Sequence, residues 1–236
     1  MYQKVILKLS GESLGEPGAI FNDAFLSEFV KTVKEVKKLG VQLGVVIGGG
    51  NIYRGRSSIG NNIDLDQADY IGMLSTVINA VYLRELLNHH NVPTSMFSKL
   101  AVTHVVELYD LAKVKQAFAK GDVVIFGGGT GRPFCTTDTC AAERALELDA
   151  DLILLAKNGV DGVYDSDPKI NKNAKLYKQI SYETIINQKL GIIDIGAAEK
   201  LKDSKIVSVA FNVEDMQNIV KIIKGEDVGT RIQKEA

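Results

Sequence analysis

Residues able to bind and move an anionic group gather at three glycine-bearing turns. Ser10-Gly11 follows the aliphatic run Lys4 to Leu9, Gly48-Gly49-Gly50 follows Gln42 to Ile47, and Gly127 to Gly131 follows Val123 to Phe126. Glycine lets the backbone approach an anion closely, and the N–H groups of the turn and the next helix point at it with the positive end of the helix dipole behind them. Phosphate is the natural guest. Any tight strand-to-helix turn also recruits glycine, so one cluster alone is balanced between structure and function, whereas three at the same kind of junction favour function. Neither standard fingerprint fits. No G-x-x-x-x-G-K-[ST] is present, and Gly129-Thr130-Gly131-Arg132-Pro133-Phe134 puts Phe where a dinucleotide site needs its third glycine.

Two phosphorylated molecules in one cleft bring several negative charges together, which cations and a metal must offset before in-line attack. Lys8 and Arg54 flank the first two clusters. Lys8 interrupts the apolar strand VILKLS, where a buried lysine needs a partner; the alternative is an edge strand with the charge in solvent. Arg54 and Arg56 follow GGGNIY, and Arg56 reads as a solvated loop charge.

The elements that must hold these turns follow from periodicity. Short Val/Ile/Leu runs at Lys4 to Leu9, Gln42 to Ile47, Pro93 to Phe97, Val123 to Phe126, Leu152 to Leu155 and Ile206 to Phe211 alternate with segments of helical period. Between the first two, Phe25, Leu26, Phe29, Val30, Val33 and Val36 form an amphipathic stripe, with Asn22 as N-cap and Gly40 as the stop. Further helices are expected at Leu65 to Leu87, Asp110 to Ala119, Thr139 to Leu148, Gly196 to Lys202 and Glu214 to Lys224. The fold class is α/β, a three-layer α/β/α arrangement with a mostly parallel central sheet, which brings the turns to one crevice at the carboxyl ends of the strands. The turn-rich segment Asn158 to Ala174 divides a single domain, 1–236, into approximate lobes 1–157 and 158–236 that share the sheet.

Composition narrows the function. The 236 residues carry 28 Lys+Arg against 29 Asp+Glu, so no chain-wide basic field draws nucleic acid. No apolar run reaches the ~18 residues of a membrane helix, and MYQKVILKLSGES lacks the pattern of a signal peptide, so a cytoplasmic protein is expected. Cys135 and Cys140 form no CxxC pair and read as buried or idle thiols, and His89, His90 and His104 read as surface groups.

Five segments in order resemble the bacterial-type UMP kinases of the amino-acid kinase superfamily, essentially end to end. They are KLSGESL at Lys8 to Leu14, GGGNIYRG at Gly48 to Gly55, ADYIGMLSTVINA at Ala68 to Ala80, GGTGRPFCTTDTCAA at Gly128 to Ala142, and KNGVDGVYDSDP at Lys157 to Pro168. The resemblance implies transfer of the γ-phosphoryl of ATP, with Mg2+, to UMP. It implies that Lys8, Ser10, Gly11, Gly50 and Arg54 handle the ATP phosphates and that Asn158, Tyr164 and Asp167 line the adenosine pocket. Gly49, Asp69 and the segment Thr130, Gly131, Arg132, Pro133, Phe134, Cys135, Thr136 and Thr137 would hold UMP, with Asp69 suited to a ribose diol because a carboxylate accepts two hydroxyl hydrogen bonds. On sequence alone the place of Asp138 after Thr136 and Thr137 suits a helix N-cap, a reading the resemblance overturns: it implies that Asp138 acts near the reacting phosphates, orienting Lys8 or metal-bound water. Asp194, in GIIDIGAA, matches a further acid of the centre and suits an N-cap as well.

The family pattern also implies a homohexamer and UTP as an inhibitor. Gly15 to Ile20 and Arg84 match regions linked with GTP activation, but no basic cluster surrounds Arg84, where Asn88, His89 and His90 follow, which argues against a GTP effector here. Two positions depart from the pattern: Arg132 stands where Asn is more usual, and Cys135 replaces an aromatic. The rival readings are a kinase of the same superfamily acting on a carboxylate or carbamate, which would share Lys8 and the glycine turns, and a non-catalytic nucleotide sensor.

Overall fold

The computed structural model describes residues 1–53, 63–166 and 170–235. The strands, in chain order, are β1 (Lys4–Leu9), β2 (Gln42–Ile47), β3 (Thr94–Ser98), β4 (Glu107–Leu108), β5 (Val123–Gly127), β6 (Leu152–Lys157), β7 (Gln179–Ser181), β8 (Val207–Asn212) and β9 (Thr230–Gln233). They form one nine-stranded sheet in the order β4-β3-β5-β2-β1-β6-β8-β9-β7. Every pairing is parallel except β8 with β9. The helices are α1 (Asp23–Lys38), α2 (Leu65–His89), α3 (Leu111–Ala119), α4 (Thr137–Leu148), α5 (Tyr182–Gln188), α6 (Ile195–Leu201) and α7 (Gln217–Lys224).

Strand side chains alternate between faces, and a parallel sheet buried on both sides needs apolar residues on each. Val5, Leu7 and Leu9 of β1 face one core with α1, α2 and α7, while Ile6 faces the other with α3, α4, α5 and α6. That is the expected three-layer arrangement. In α1 the stripe Leu26, Phe29, Val30, Val33 and Val36 is buried, and each such side chain contributes roughly 1.5–3 kcal/mol. Asn22 accepts from the Phe25 N–H to open the helix, and Gly40, at φ 75°, follows its end in the left-handed region.

Several expectations shift. Thr136, not a later residue, caps α4, which begins at Thr137 instead of Thr139. The segments β4, β7, β9 and α5 carry no strong periodicity and are additions to the sequence reading. Lys8 lies in the central strand of the sheet, which removes the edge-strand alternative. No helix among the described residues is long and apolar enough to cross a membrane.

Candidate active site

The chain order reverses at β1: β2 lies on one side of it and β6 on the other. Open α/β sheets bind ligands outside the carboxyl ends of their strands at such a switch point. The glycine turns converge there. A Cβ on Gly11 would lie 2.7 Å from the Gly48 carbonyl and closer still to the Gly50 N–H, so only glycine lets the first two turns touch. A Cβ on Gly49 would meet the Gly72 carbonyl and Ser75 Cβ at 2.8 Å, which shows how closely α2 passes behind the second turn. The third turn joins through Thr76, whose Oγ1 accepts from the Gly128 N–H at 2.8 Å. Ser10 caps the short 3-10 turn Gly11–Leu14 by accepting from Glu12 N–H, and Gly50 packs against the Glu12 side chain.

Two residues absent from the sequence-based site organise this junction. Asn79, fully buried on α2, donates to the Gly48 carbonyl at 2.8 Å and exchanges amide hydrogen bonds with Asn51, at 2.7 and 3.1 Å. It lies inside ADYIGMLSTVINA, where a polar residue on an otherwise buried helix face was the available signal. Lys157, at the end of β6, is the other.

Lys8 and Lys157 converge by register. Lys8 pairs with Leu155 across β1 and β6, so Lys157, two residues further on, points to the same face. That face is covered by α4, and Asp138 sits between the lysines: Oδ1 is 2.9 Å from Lys8 Nζ, and Oδ2 is 3.9 Å from Lys157 Nζ. Burial alone would raise the Asp138 carboxyl; the Lys8 charge, then Lys157 and a hydrogen bond from the Asp194 N–H, outweigh it and hold the group below its ordinary range. Burial first, and Lys8 after the opposing pull of Asp138, lower the Lys157 ammonium. Despite the short ionic approach of Lys8, Asp138 Oδ1 is left without an aligned hydrogen bond.

A cleft lies on each side of this group. The first, about 330 Å³, is lined by Gly49, Asp69, Met73, Arg132, Cys135 and Thr137, among others. Asp69 Oδ2 accepts from the Phe134 N–H at 2.6 Å and so holds the loop that follows β5. Within that loop Thr130 is buried and its Oγ1 accepts from Arg132 N–H, Gly131 and Phe134 take positive φ, and the Phe134 ring is exposed. Pro133 lies between Arg132 and Phe134, and Thr136 accepts from Thr139 N–H. The second cleft, about 500 Å³, is lined by Lys157, Gly162, Tyr164 and Ser166 with Leu190 to Ile192 opposite. Asn158, beside it in sequence, accepts from Ser13 Oγ at 2.8 Å, tying this side to the first glycine turn.

The remaining site expectations divide. Asp194 caps α6 by accepting from Gly196 and Ala197 N–H, and its own N–H donates to Asp138 Oδ2 at 3.2 Å, so it touches the centre through its backbone. Arg54 and Asp167, with Arg56, lie outside the described residues. His89, His90 and His104 are exposed, as the sequence reading expected.

Glycine turns, a largely enclosed Lys-Asp-Lys group and two flanking clefts at a switch point form a candidate phosphoryl-transfer site on the amino acid kinase plan. The model of the "Amino acid kinase family" matches residues 3–213. A uridylate kinase of Limosilactobacillus reuteri is 42% identical over 233 residues, covering 98% of this chain and 97% of the relative. The crystal structure of UMP kinase from Bacillus anthracis superposes with a TM-score of 0.96 at 38% identity, covering 100% of this chain and 97% of that one. That of UMP kinase from Ureaplasma parvum gives 0.93 at 35% identity, covering 99% and 100%. The chain belongs to the amino acid kinase family, within its uridylate kinases.

Proposed function

We infer that this protein is a UMP kinase, transferring the γ-phosphoryl group of ATP to UMP to give UDP and ADP. The observation that carries the reading is the Lys8-Asp138-Lys157 group standing between two clefts, one beside each half of the sheet. Two phosphate chains meeting end to end there find cations where negative charge develops, and Asp138 keeps both lysines in place. The attacking oxygen belongs to an already ionised phosphate, so no general base is needed and catalysis is positioning plus charge stabilisation.

UMP is assigned to the first cleft, with Gly49, Asp69 and the loop Thr130 to Thr137; ATP is assigned to the second, with Asn158, Tyr164 and Asp167, its phosphates on Lys8, Ser10, Gly11, Gly50 and Arg54. The lobe 1–157 then carries the UMP pocket and the phosphate-binding turns, and 158–236 most of the adenosine pocket. Among the described residues no three His, Cys, Asp or Glu side chains gather to hold a metal ion. Magnesium takes oxygen ligands and keeps several waters, so it would be held mainly by the nucleotide phosphates and water, with Asp138, whose Oδ1 is 2.9 Å from Lys8 Nζ, orienting Lys8 or a metal-bound water. When bound, Mg2+ would neutralise charge on the phosphate oxygens. The same reading places the protein in the cytoplasm, in pyrimidine nucleotide synthesis, as a homohexamer inhibited by UTP. Arg84, already hydrogen-bonded to the Val105 carbonyl and paired with Glu85, supports leaving GTP out.

A coupled assay with ATP and UMP, CMP or acetylglutamate tests the assignment. Turnover of UMP is expected. Activity restricted to acetylglutamate would move the chain to the carboxylate kinases, and tight UMP binding with no turnover would make it a sensor.

A further inference from the structure

Resting on the reading that the second cleft takes ATP, we propose that Thr230 is a positioning residue for the phosphoryl donor: from outside the cleft, its hydroxyl fixes where the Gly162 to Tyr164 wall stands. That wall has little regular structure to hold it. Residues 163–165 and 175–177 run antiparallel, with Tyr177 N–H donating to the Val163 carbonyl at 2.8 Å, a lone bridge between Tyr164 and Leu176, and Asp165 N–H donating to the Lys175 carbonyl at 3.1 Å. A two-stranded ribbon this short is marginal by itself and depends on tertiary contacts.

Thr230 supplies such a contact to both arms. It opens β9 opposite Ala210 of β8 and is fully buried. Its Oγ1 accepts from the Val163 N–H at 2.9 Å and donates to the Tyr177 carbonyl at 2.5 Å, so one hydroxyl grips the ribbon across its width. The approach is close: a Cβ on Gly162 would collide with the same oxygen and come within 3.0 Å of the Thr230 backbone nitrogen, so β9 itself requires glycine there. Gly229, at φ 70°, lets β9 begin directly against the Ala210 carbonyl, and the sheet thereby places the hydroxyl. Without that hydroxyl a buried N–H and a buried carbonyl lose their partner, and the ribbon must shift toward water to recover one. Val163 and Tyr164 would move with it, on the wall where adenosine is assigned, whereas the first cleft is built from other elements.

The test is steady-state kinetics, with ATP and UMP varied in turn, on the wild type, Thr230→Val and Thr230→Ser, with a thermal melt on each. T230V keeps the shape without the hydroxyl and is expected to raise the KM for ATP by at least ~10-fold with the KM for UMP unchanged; T230S should return it to within ~3-fold of the wild type. An unchanged KM for ATP in folded T230V, an equal rise for both substrates, or T230S as impaired as T230V overturns the inference. If T230V does not fold, hydrogen exchange of the wild type decides. The Val163 amide is expected to be protected and to be slowed further by a non-hydrolysable ATP analogue but not by UMP; exchange that the analogue leaves unaffected overturns the inference. Gly191→Phe tests the reading beneath it, because Gly191 lines the second cleft and a Cβ there meets nothing within 4 Å, which gives the ring room to enter. A KM for ATP unmoved by G191F removes ATP from this cleft, whereas a rise in G191F with none in T230V overturns only the role of Thr230.

Discussion

Asp138, at the second position of α4, places its Oδ1 2.9 Å from Lys8 Nζ of the central strand, with both side chains nearly closed off from solvent. A helix start and a strand interior are thereby locked at the point where two clefts meet. Removing one partner of a buried pair leaves the other charge uncompensated, so the pair serves rigidity as much as attraction.

Lys8→Ala is expected to lower kcat by more than ~100-fold with a smaller change in the KM for UMP, as for other lost transition-state donors. Steady-state kinetics with both substrates varied provide the check. Unchanged turnover would remove Lys8 from the reaction.

Acid should expose Asp138. Its carboxyl sits below the ordinary value of 3.8, so its stabilisation is fully present above that pH and is lost as pH falls through the folded value. Urea unfolding from pH 7 to 2 should show stability falling below about pH 4, and Asp138→Asn should flatten that limb.

Lys157 titrates in the opposite direction. Its ammonium is lowered from 10.5 by burial, so the unfolded chain holds the proton longer and this group's contribution to stability rises with pH in the window below 10.5. Activity should do the reverse, falling in that same window as the cation is lost. Measuring kcat against pH for the wild type and Lys157→Met tests this: the variant should be slower throughout and lack that alkaline step.

Gly11→Ala should unfold the junction. Its Cβ would press on the backbone of Gly48 and Gly50, neither of which can turn aside, and overpacking of this kind costs roughly 1–3 kcal/mol. A lowered Tm together with lost nucleotide binding is expected.

The two thiols should separate by reactivity. Burial pushes the Cys140 thiol up to about 12, whereas Cys135 lines the first cleft. A thiol reagent at pH 8 should titrate one cysteine in the native protein and two in denaturant, and UMP should slow the first.

Much of this was legible in the residues themselves. The α1 stripe with Asn22 and Gly40 announced its own start and stop, and the glycine turns marked the strand ends that meet. Asp138 was ambiguous because Thr136, Thr137 and Asp138 offer three neighbouring capping side chains, and local pattern cannot choose among them; Thr136 takes the cap and frees Asp138 for Lys8. Lys157 went unassigned since a lysine ending an apolar strand looks solvated until the β1–β6 register puts it on the Lys8 face. Asn79 needed a partner 28 residues away, and the short β7 and β9 depend on the antiparallel pairing of β9 with β8, which has no periodic signature.

The reversal of strand order at β1 makes the molecule modular. The wall of one recess comes from the end of β2 with its glycine turn, α2 and the loop after β5, and that of the other from β6 onward. Redrawing the loop after β5, with α2 kept because its Asn79 holds the Gly48 turn, would therefore change what receives the phosphoryl group while the machinery that delivers it stays intact.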